Sequence, residues 1–121
     1  MGKEKIKKID IQLKNVMHHC VRQIVFLIPN SKIMLFGSYA KGSFSKDSDI
    51  DIAVFLPPNY SIDDIVKINR LLCKISGNYD NDIQTQVFLQ DELINPIGIV
   101  EEIVEYGIDL TEFSEQNYID L

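Results

Sequence analysis

The sequence predicts an α+β fold, a mixed α/β arrangement in which a mixed sheet carries helices packed mainly on one face. Three observations lead there. Short apolar runs of strand length occur at 33–36, 50–55 and 83–88. Amphipathic stretches with apolar residues three and four apart lie before, between and after them. The first two strands are separated by about a dozen residues that hold no regular crossover helix. A chain of 121 residues has room for one core, so residues 1–121 are expected to form one domain, with 111–121 as an extended docking tail.

The elements follow in order. Residues 3–27 predict one long helix, because Ile6, Ile9, Leu13, Val16, Met17, Cys20, Ile24 and Leu27 form a stripe with lysines mostly between them. Pro29 and Asn30 stop it. The run Ile33-Met34-Leu35-Phe36 predicts a buried strand, and the Gly-, Ser- and Lys-rich segment 37–48 a loop with at most one helical turn. Asp49 to Phe55 alternates acid with aliphatic before turning apolar, as a strand with two different faces does. Ser61, followed by Asp63 and Asp64, is an N-cap for a helix whose stripe runs through Ile62, Ile65, Ile68, Leu71, Leu72 and Ile75. A strand over 83–89, a turn or short helix from Asp91, and a helix over 97–106 ended by Gly107 complete the set.

Composition narrows the function. At 45% hydrophobic and 25% charged the chain is globular rather than disordered. No apolar run approaches the roughly 18 residues that span a membrane, and the N-terminus lacks the apolar core of a signal peptide, so a cytoplasmic location is expected. Cys20 and Cys73 belong to no metal-binding spacing and are expected to be small buried hydrophobes. Residues 1–74 carry twelve basic and seven acidic side chains, a net of +5, whereas residues 75–121 carry eleven acidic and no basic ones, a net of −11. That balance argues against an extended nucleic acid groove and points to a solvated acidic surface or one that meets a basic protein.

The chemistry is concentrated in residues 37–51. Residues i and i+2 of a strand share a face, so Asp49 and Asp51 project together while Ile50 and Ile52 enter the core. Two adjacent carboxylates repel each other and resist burial; a cation relieves both, and hard oxygen ligands suit Mg²⁺ or Mn²⁺. Such ions clamp phosphates and neutralise charge developing at phosphorus. Gly37 ends the first strand where a side chain would block a close backbone approach, Ser38 offers a hydroxyl and an N–H, and Gly42 permits a second tight turn. Lys41 and Lys46 flank this loop as phosphate contacts or as surface lysines, and Tyr39 and Phe44 as base-stacking rings or, for Phe44, a loop anchor. His18 and His19 are adjacent on a helix and diverge too far to share a metal, so one is expected half-buried and the other solvated.

The stretch LFGSYAKGSFSKDSDIDIAVF resembles the signature of the nucleotidyltransferase superfamily related to DNA polymerase β, and within it the minimal nucleotidyltransferases, members of which pair with helical HEPN proteins. The resemblance rests on Gly37-Ser38, Gly42 and Ser48-Asp49-x-Asp51, and extends more loosely over most of the chain. It implies a palm-like core and transfer of a nucleotidyl group, AMP if the substrate is ATP. It implies that Gly37 and Ser38 engage the triphosphate and that Asp49 and Asp51 carry catalysis and two divalent metals; Gly42, Ser48 and Lys41 are expected to complete the nucleotide site. It also implies a third carboxylate on the next strand, where this sequence has Gln86, or Gln84 in a register slipped by two, with Asp82 at the strand entrance as a turn acid or a substitute. An amide cannot take a proton. Two functions therefore stand against each other: an enzyme that modifies a hydroxyl, expected on a HEPN-type partner protein, and an antitoxin-like protein that binds and masks such a partner with little catalysis. A small-molecule nucleotidyltransferase of the aminoglycoside type ranks lower, since one domain has no second lobe for the acceptor, although a homodimer would supply one.

Overall fold

The computed structural model describes residues 11–45, 47–79 and 82–111. Helix α1 spans Ile11–Leu27. Its apolar residues Met17, Cys20, Val21 and Ile24 are buried, so the three- and four-residue spacing marks the inward face. The expected start of this helix, near residue 3, lies outside the described residues. The chain turns through Asn30, held at φ 67°, into strand β1, Lys32–Phe36. One turn of helix, α2, Ser38–Lys41, then precedes the loop to β2, Ile50–Leu56.

Helix α3, Ile62–Ser76, begins at a reciprocal cap. The Asp64 N–H donates to Ser61 Oγ at 3.1 Å, and the Ser61 N–H donates to Asp64 Oδ2 at 3.0 Å. Two N–H groups left over at the helix start are thereby satisfied. The Ser61 N–H first, and the Ser61 side chain second, hold the Asp64 carboxyl below its ordinary pKa. A depressed folded-state pKa makes this cap fully present at neutral pH and weaker as the solution is acidified. Strand β3, Ile83–Leu89, runs into a 3₁₀ turn, Gln90–Leu93, where Glu92 accepts from the Leu89 N–H at 2.7 Å. Helix α4, Ile99–Tyr106, and the two-residue strand β4, Ile108–Asp109, follow.

The four strands form one mixed sheet in the order β3-β2-β1-β4. β1 pairs antiparallel with both β2 and β4, and β2 pairs parallel with β3. Alternation along β1 and β2 sends Ile33, Leu35, Ile50, Ile52, Val54 and Leu56 into a core with α1 and α3. Met34, Phe36, Ala53 and Phe55 point the other way, into a smaller core with Val100 and Ile103 of α4. The two long helices thus share one face, as the sequence predicts, and a short helix covers part of the other. Cys20 is buried, but Cys73 is exposed on α3. Its place beside the stripe therefore misled the expectation of burial. His18 is buried and its neighbour His19 exposed, as their divergence on the helix requires.

Replacing Ser61 with Ala should lower the unfolding free energy by about 1 kcal/mol, the usual worth of such a cap, measured by urea denaturation at neutral pH. An unchanged midpoint would mean that the cap contributes nothing to the fold.

Candidate active site

The site is built where β1 ends and β2 begins. In the antiparallel register Phe36 lies opposite Asp51, which brings Gly37 against the start of β2. Gly37 has φ 73° and ψ −153°, a backbone conformation that side chains disfavour. A Cβ built at this position would overlap the Oδ2 of Asp51. The glycine is required twice, for its dihedrals and for the space that the carboxylate fills.

Ile50 and Ile52 are buried, and Asp51, between them, faces the opposite side and is half-buried. Asp49 is exposed, one residue ahead of the strand. The Asp51 carboxyl is raised above its ordinary pKa, by burial first and by the charge of Asp49 second. The two acids are therefore near enough for their charges to interact, although Asp49 stands just ahead of the strand and not on it. Among the described residues no group of three or more His, Cys, Asp or Glu side chains is placed to hold a metal ion. The donor set is the carboxylates of Asp49 and Asp51, with Asp51 lying against the bare backbone of Gly37. That set fits Mg²⁺ or Mn²⁺ whose remaining ligands come from water and phosphate oxygens.

The parallel register settles which amide stands beside the acids. Gln84 lies opposite Asp51, and Gln86 opposite Ala53. Both amides are exposed. Gln84 is the nearer position, so the two-residue slip considered from sequence describes the actual pairing. Asp82 gives its carbonyl to the Ile50 N–H at 2.8 Å, which places it at the entrance of β3 beside Asp49.

The loop holds itself in shape. The Ser38 carbonyl accepts from the N–H groups of Gly42 and, at 3.0 Å, Ser43, and Gly42 is left-handed at φ 79°. No atom lies where a Gly42 Cβ would go, so this glycine serves the turn and not a close approach. With only one turn, α2 has little macrodipole to offer an anion. Ser48 Oγ accepts from the Ser45 N–H at 2.8 Å and the Ser48 N–H donates to the Ser45 carbonyl at 3.1 Å, a turn that delivers the chain into Asp49. Tyr39 is buried and stacks on Phe44, ring centroids 4.5 Å apart. Phe44 thus anchors the loop, and Tyr39 is not available to a base. Lys41 forms an ion pair with Glu102 of α4 and lies 5.2 Å from the ring centre of Tyr106. Sequence reasoning had no means of finding Glu102, which is 61 residues away. Lys46 lies outside the described residues. A groove of ≈ 690 Å³ between α1 and the end of α3 shares no residue with this site; His19, Arg22, Phe26 and Ile75 are among its walls.

A mixed sheet with a glycine-backed acid pair at one end is the architecture of a nucleotidyltransferase palm. Residues 24–116 match the family model "Polymerase beta, Nucleotidyltransferase", and the chain belongs to that family. It is 24% identical over 79 residues to "Putative protein adenylyltransferase MJ0141" of Methanocaldococcus jannaschii, covering 65% of this chain and 77% of that protein. Its fold is similar to the crystal structure of a "putative nucleotidyltransferase" from Sulfolobus solfataricus, with a TM-score of 0.59, 19% identity, and 91% of this chain and 88% of that one covered. It is also similar to a crystal structure described as "the toxin-antitoxin with AMP-PNP", with a TM-score of 0.51, 21% identity and 85% of each chain covered.

The raised Asp51 carboxyl has a consequence for stability. A carboxyl whose folded-state pKa lies above its unfolded value destabilises the native state once ionised, and that cost disappears as pH falls through the folded pKa. Asp51→Asn should therefore raise Tm at neutral pH, and the gain should shrink as the pH is lowered, measured by thermal denaturation in metal-free buffer. A Tm gain that is the same at acid and neutral pH would contradict this origin.

Proposed function

We propose that this protein is a Mg²⁺- or Mn²⁺-dependent nucleotidyltransferase that transfers a nucleotidyl group, AMP from ATP, to a hydroxyl on a partner protein. The observation that carries this is the Asp49–Asp51 pair set against the bare backbone of Gly37. Asp49 and Asp51 would hold the cation, which when bound would supply positive charge to offset the charge that builds at phosphorus. Gly37 ends β1 without a side chain beside Asp51, Ser38 offers its hydroxyl and N–H to the phosphates, and Gly42 makes the turn that shapes the loop. Ser48 fixes the turn that delivers Asp49, and Lys41 adds a positive charge to the phosphate side. In the transfer the acceptor oxygen bonds to the α-phosphorus, the bond from that phosphorus to the bridging oxygen breaks, pyrophosphate leaves, and the hydroxyl proton passes to water or to a base on the acceptor.

A protein acceptor is supported by the adenylyltransferase description of the archaeal relative and by the toxin–antitoxin and AMP-PNP of the structural one. It is supported in this chain by Ile94, Ile97, Ile99 and Val104, large apolar side chains exposed beside Asp91, Glu92, Glu101 and Glu105. A face of this kind suits a small helical, HEPN-type protein with basic residues around an apolar patch. The tail residues Phe113, Tyr118, Ile119 and Leu121, expected from sequence to help such docking, lie outside the described residues.

One observation favours a second reading. Gln84 is a neutral amide at the position beside Asp51, so no carboxylate on β3 stands there to accept the acceptor's proton. A protein with this site binds nucleotide and metal but transfers slowly, and masks its partner by binding it.

Two measurements separate these readings. By calorimetry, ATP binding to the wild type should tighten when Mg²⁺ is added, and Asp49→Asn/Asp51→Asn should lose that enhancement; equal behaviour of the two proteins would refute the metal assignment. With a co-purified partner and labelled ATP, label transfer identifies the enzyme, whereas a stable complex without label identifies the mask. Gln84→Asp should place a third carboxylate beside Asp51 and tighten Mn²⁺ binding in the absence of nucleotide by about tenfold, read by electron paramagnetic resonance; Gln86→Asp, one pair further along, should change it less. The reverse order would show that Gln86, not Gln84, adjoins the ion.

A further inference from the structure

The proposed phosphate loop contains a cation that is already engaged. Lys41 ends α2, one helical turn beyond Ser38, and its ammonium donates a charge-assisted hydrogen bond to Glu102 Oε1. The same ammonium lies 5.2 Å from the centre of the Tyr106 ring. Glu102 and Tyr106 are one turn apart on α4 and act on Lys41 together. The ion pair is partly exposed, with side-chain accessibilities of 39% for Lys41 and 37% for Glu102, so it is weak enough to exchange partners. Glu102 lies in the acidic part of the chain, and its ion-pair partner Lys41 comes from a segment 61 residues earlier.

We infer that Glu102 is a positioning residue that withholds Lys41 from the nucleotide, so that ATP must take the ammonium from the carboxylate in order to bind fully. The inference rests on the nucleotide-binding reading above and adds to it a competing internal anion. A triphosphate carries several negative charges and three terminal oxygens, against the single charge of Glu102, and Lys is a flexible stem with a compact cation at its end. The exchange moves that charge from α4 to the loop and leaves Glu102 to water. The Tyr106 ring, 5.2 Å from the ammonium, adds to the hold that α4 has on Lys41. The pair therefore sets a threshold on nucleotide affinity without touching the carboxylates that hold the metal.

The test is a double-mutant cycle in ATP affinity, by calorimetry with Mg²⁺, on the full chain. Glu102→Gln should tighten ATP binding by about fivefold, because the lysine is no longer held. Lys41→Met should weaken it. Glu102→Gln in the Lys41→Met background should have no effect, because there is no cation left to release. Glu105→Gln removes the same charge from α4 without touching Lys41 and should leave affinity near the wild-type value. Tm is recorded for every variant. A Glu102→Gln protein that binds ATP equally or more weakly overturns the inference, and marks the ion pair as a staple between α2 and α4. Equal tightening with and without Lys41, or by Glu105→Gln as well, also overturns it, because the effect would then be general repulsion of the nucleotide. If wild-type ATP binding is normal and lost in Asp51→Asn while Glu102→Gln has no effect, the nucleotide site stands and only the role of Glu102 falls. Absence of ATP binding in the wild type removes both.

Discussion

The Asp51 carboxylate occupies the space in which any other residue at 37 would place its Cβ, and the rest of the site depends on that contact. The antiparallel pairing of Phe36 with Asp51 sets it, since a shift of one residue between β1 and β2 would turn the acid into the isoleucine core. The positive φ of Gly37 lets the chain leave β1 at the angle that starts α2. The same contact removes water from one side of Asp51, and Asp49 adds its charge, so the Asp51 carboxylate is held where ionisation is disfavoured. Instability concentrated at the point of chemistry is common in proteins that bind charged ligands, because the ligand supplies what the fold withholds.

The two faces of the sheet divide the work. The face under α1 and α3 is closed by aliphatic side chains from every turn of both helices and carries most of the stability. The other face is closed only in part, by Val100 and Ile103 against Phe55 and its neighbours, which leaves its far end for Asp51, Gln84 and the loop after β1. The short helix α4 seals the sheet at one end and sends Glu102 toward the loop at the other.

Much of this was legible in the sequence because alternation and spacing are local. Gly37, the acid pair and the buried Ile50 and Ile52 that alternate with the acids follow from the period of a strand, and the Ser61–Asp64 cap from four adjacent residues. What could not be read depends on distant segments. Strand register decided that Gln84, and not Gln86, lies beside Asp51, and register is set by the whole hydrophobic pattern of two strands. The stacking of Tyr39 on Phe44 depends on how the loop folds back on itself. The burial of Cys20 and the exposure of Cys73 depend on which side of each helix meets the sheet, and a cysteine flanking a stripe fits either outcome. Strand β4 is two residues long and has no pattern of its own to announce it.

Strand β4 nevertheless decides the order in which the molecule can assemble. Leu110 donates its N–H to the Ile33 carbonyl at 2.7 Å, the Ile33 N–H donates to Thr111 Oγ1 at 2.9 Å, and Leu35 pairs with Ile108. The strand that ends in the phosphate loop is therefore completed by residues from the other end of the chain. The β1–β2 hairpin closes over a short stretch and can form as soon as both strands leave the ribosome; the β1–β4 pairing must wait for a closure of far greater sequence separation. During synthesis the acid pair and its glycine thus exist before the edge that steadies them. In that interval the open side of β1 is an unpaired row of backbone donors and acceptors, and its protection is a matter of timing rather than of composition.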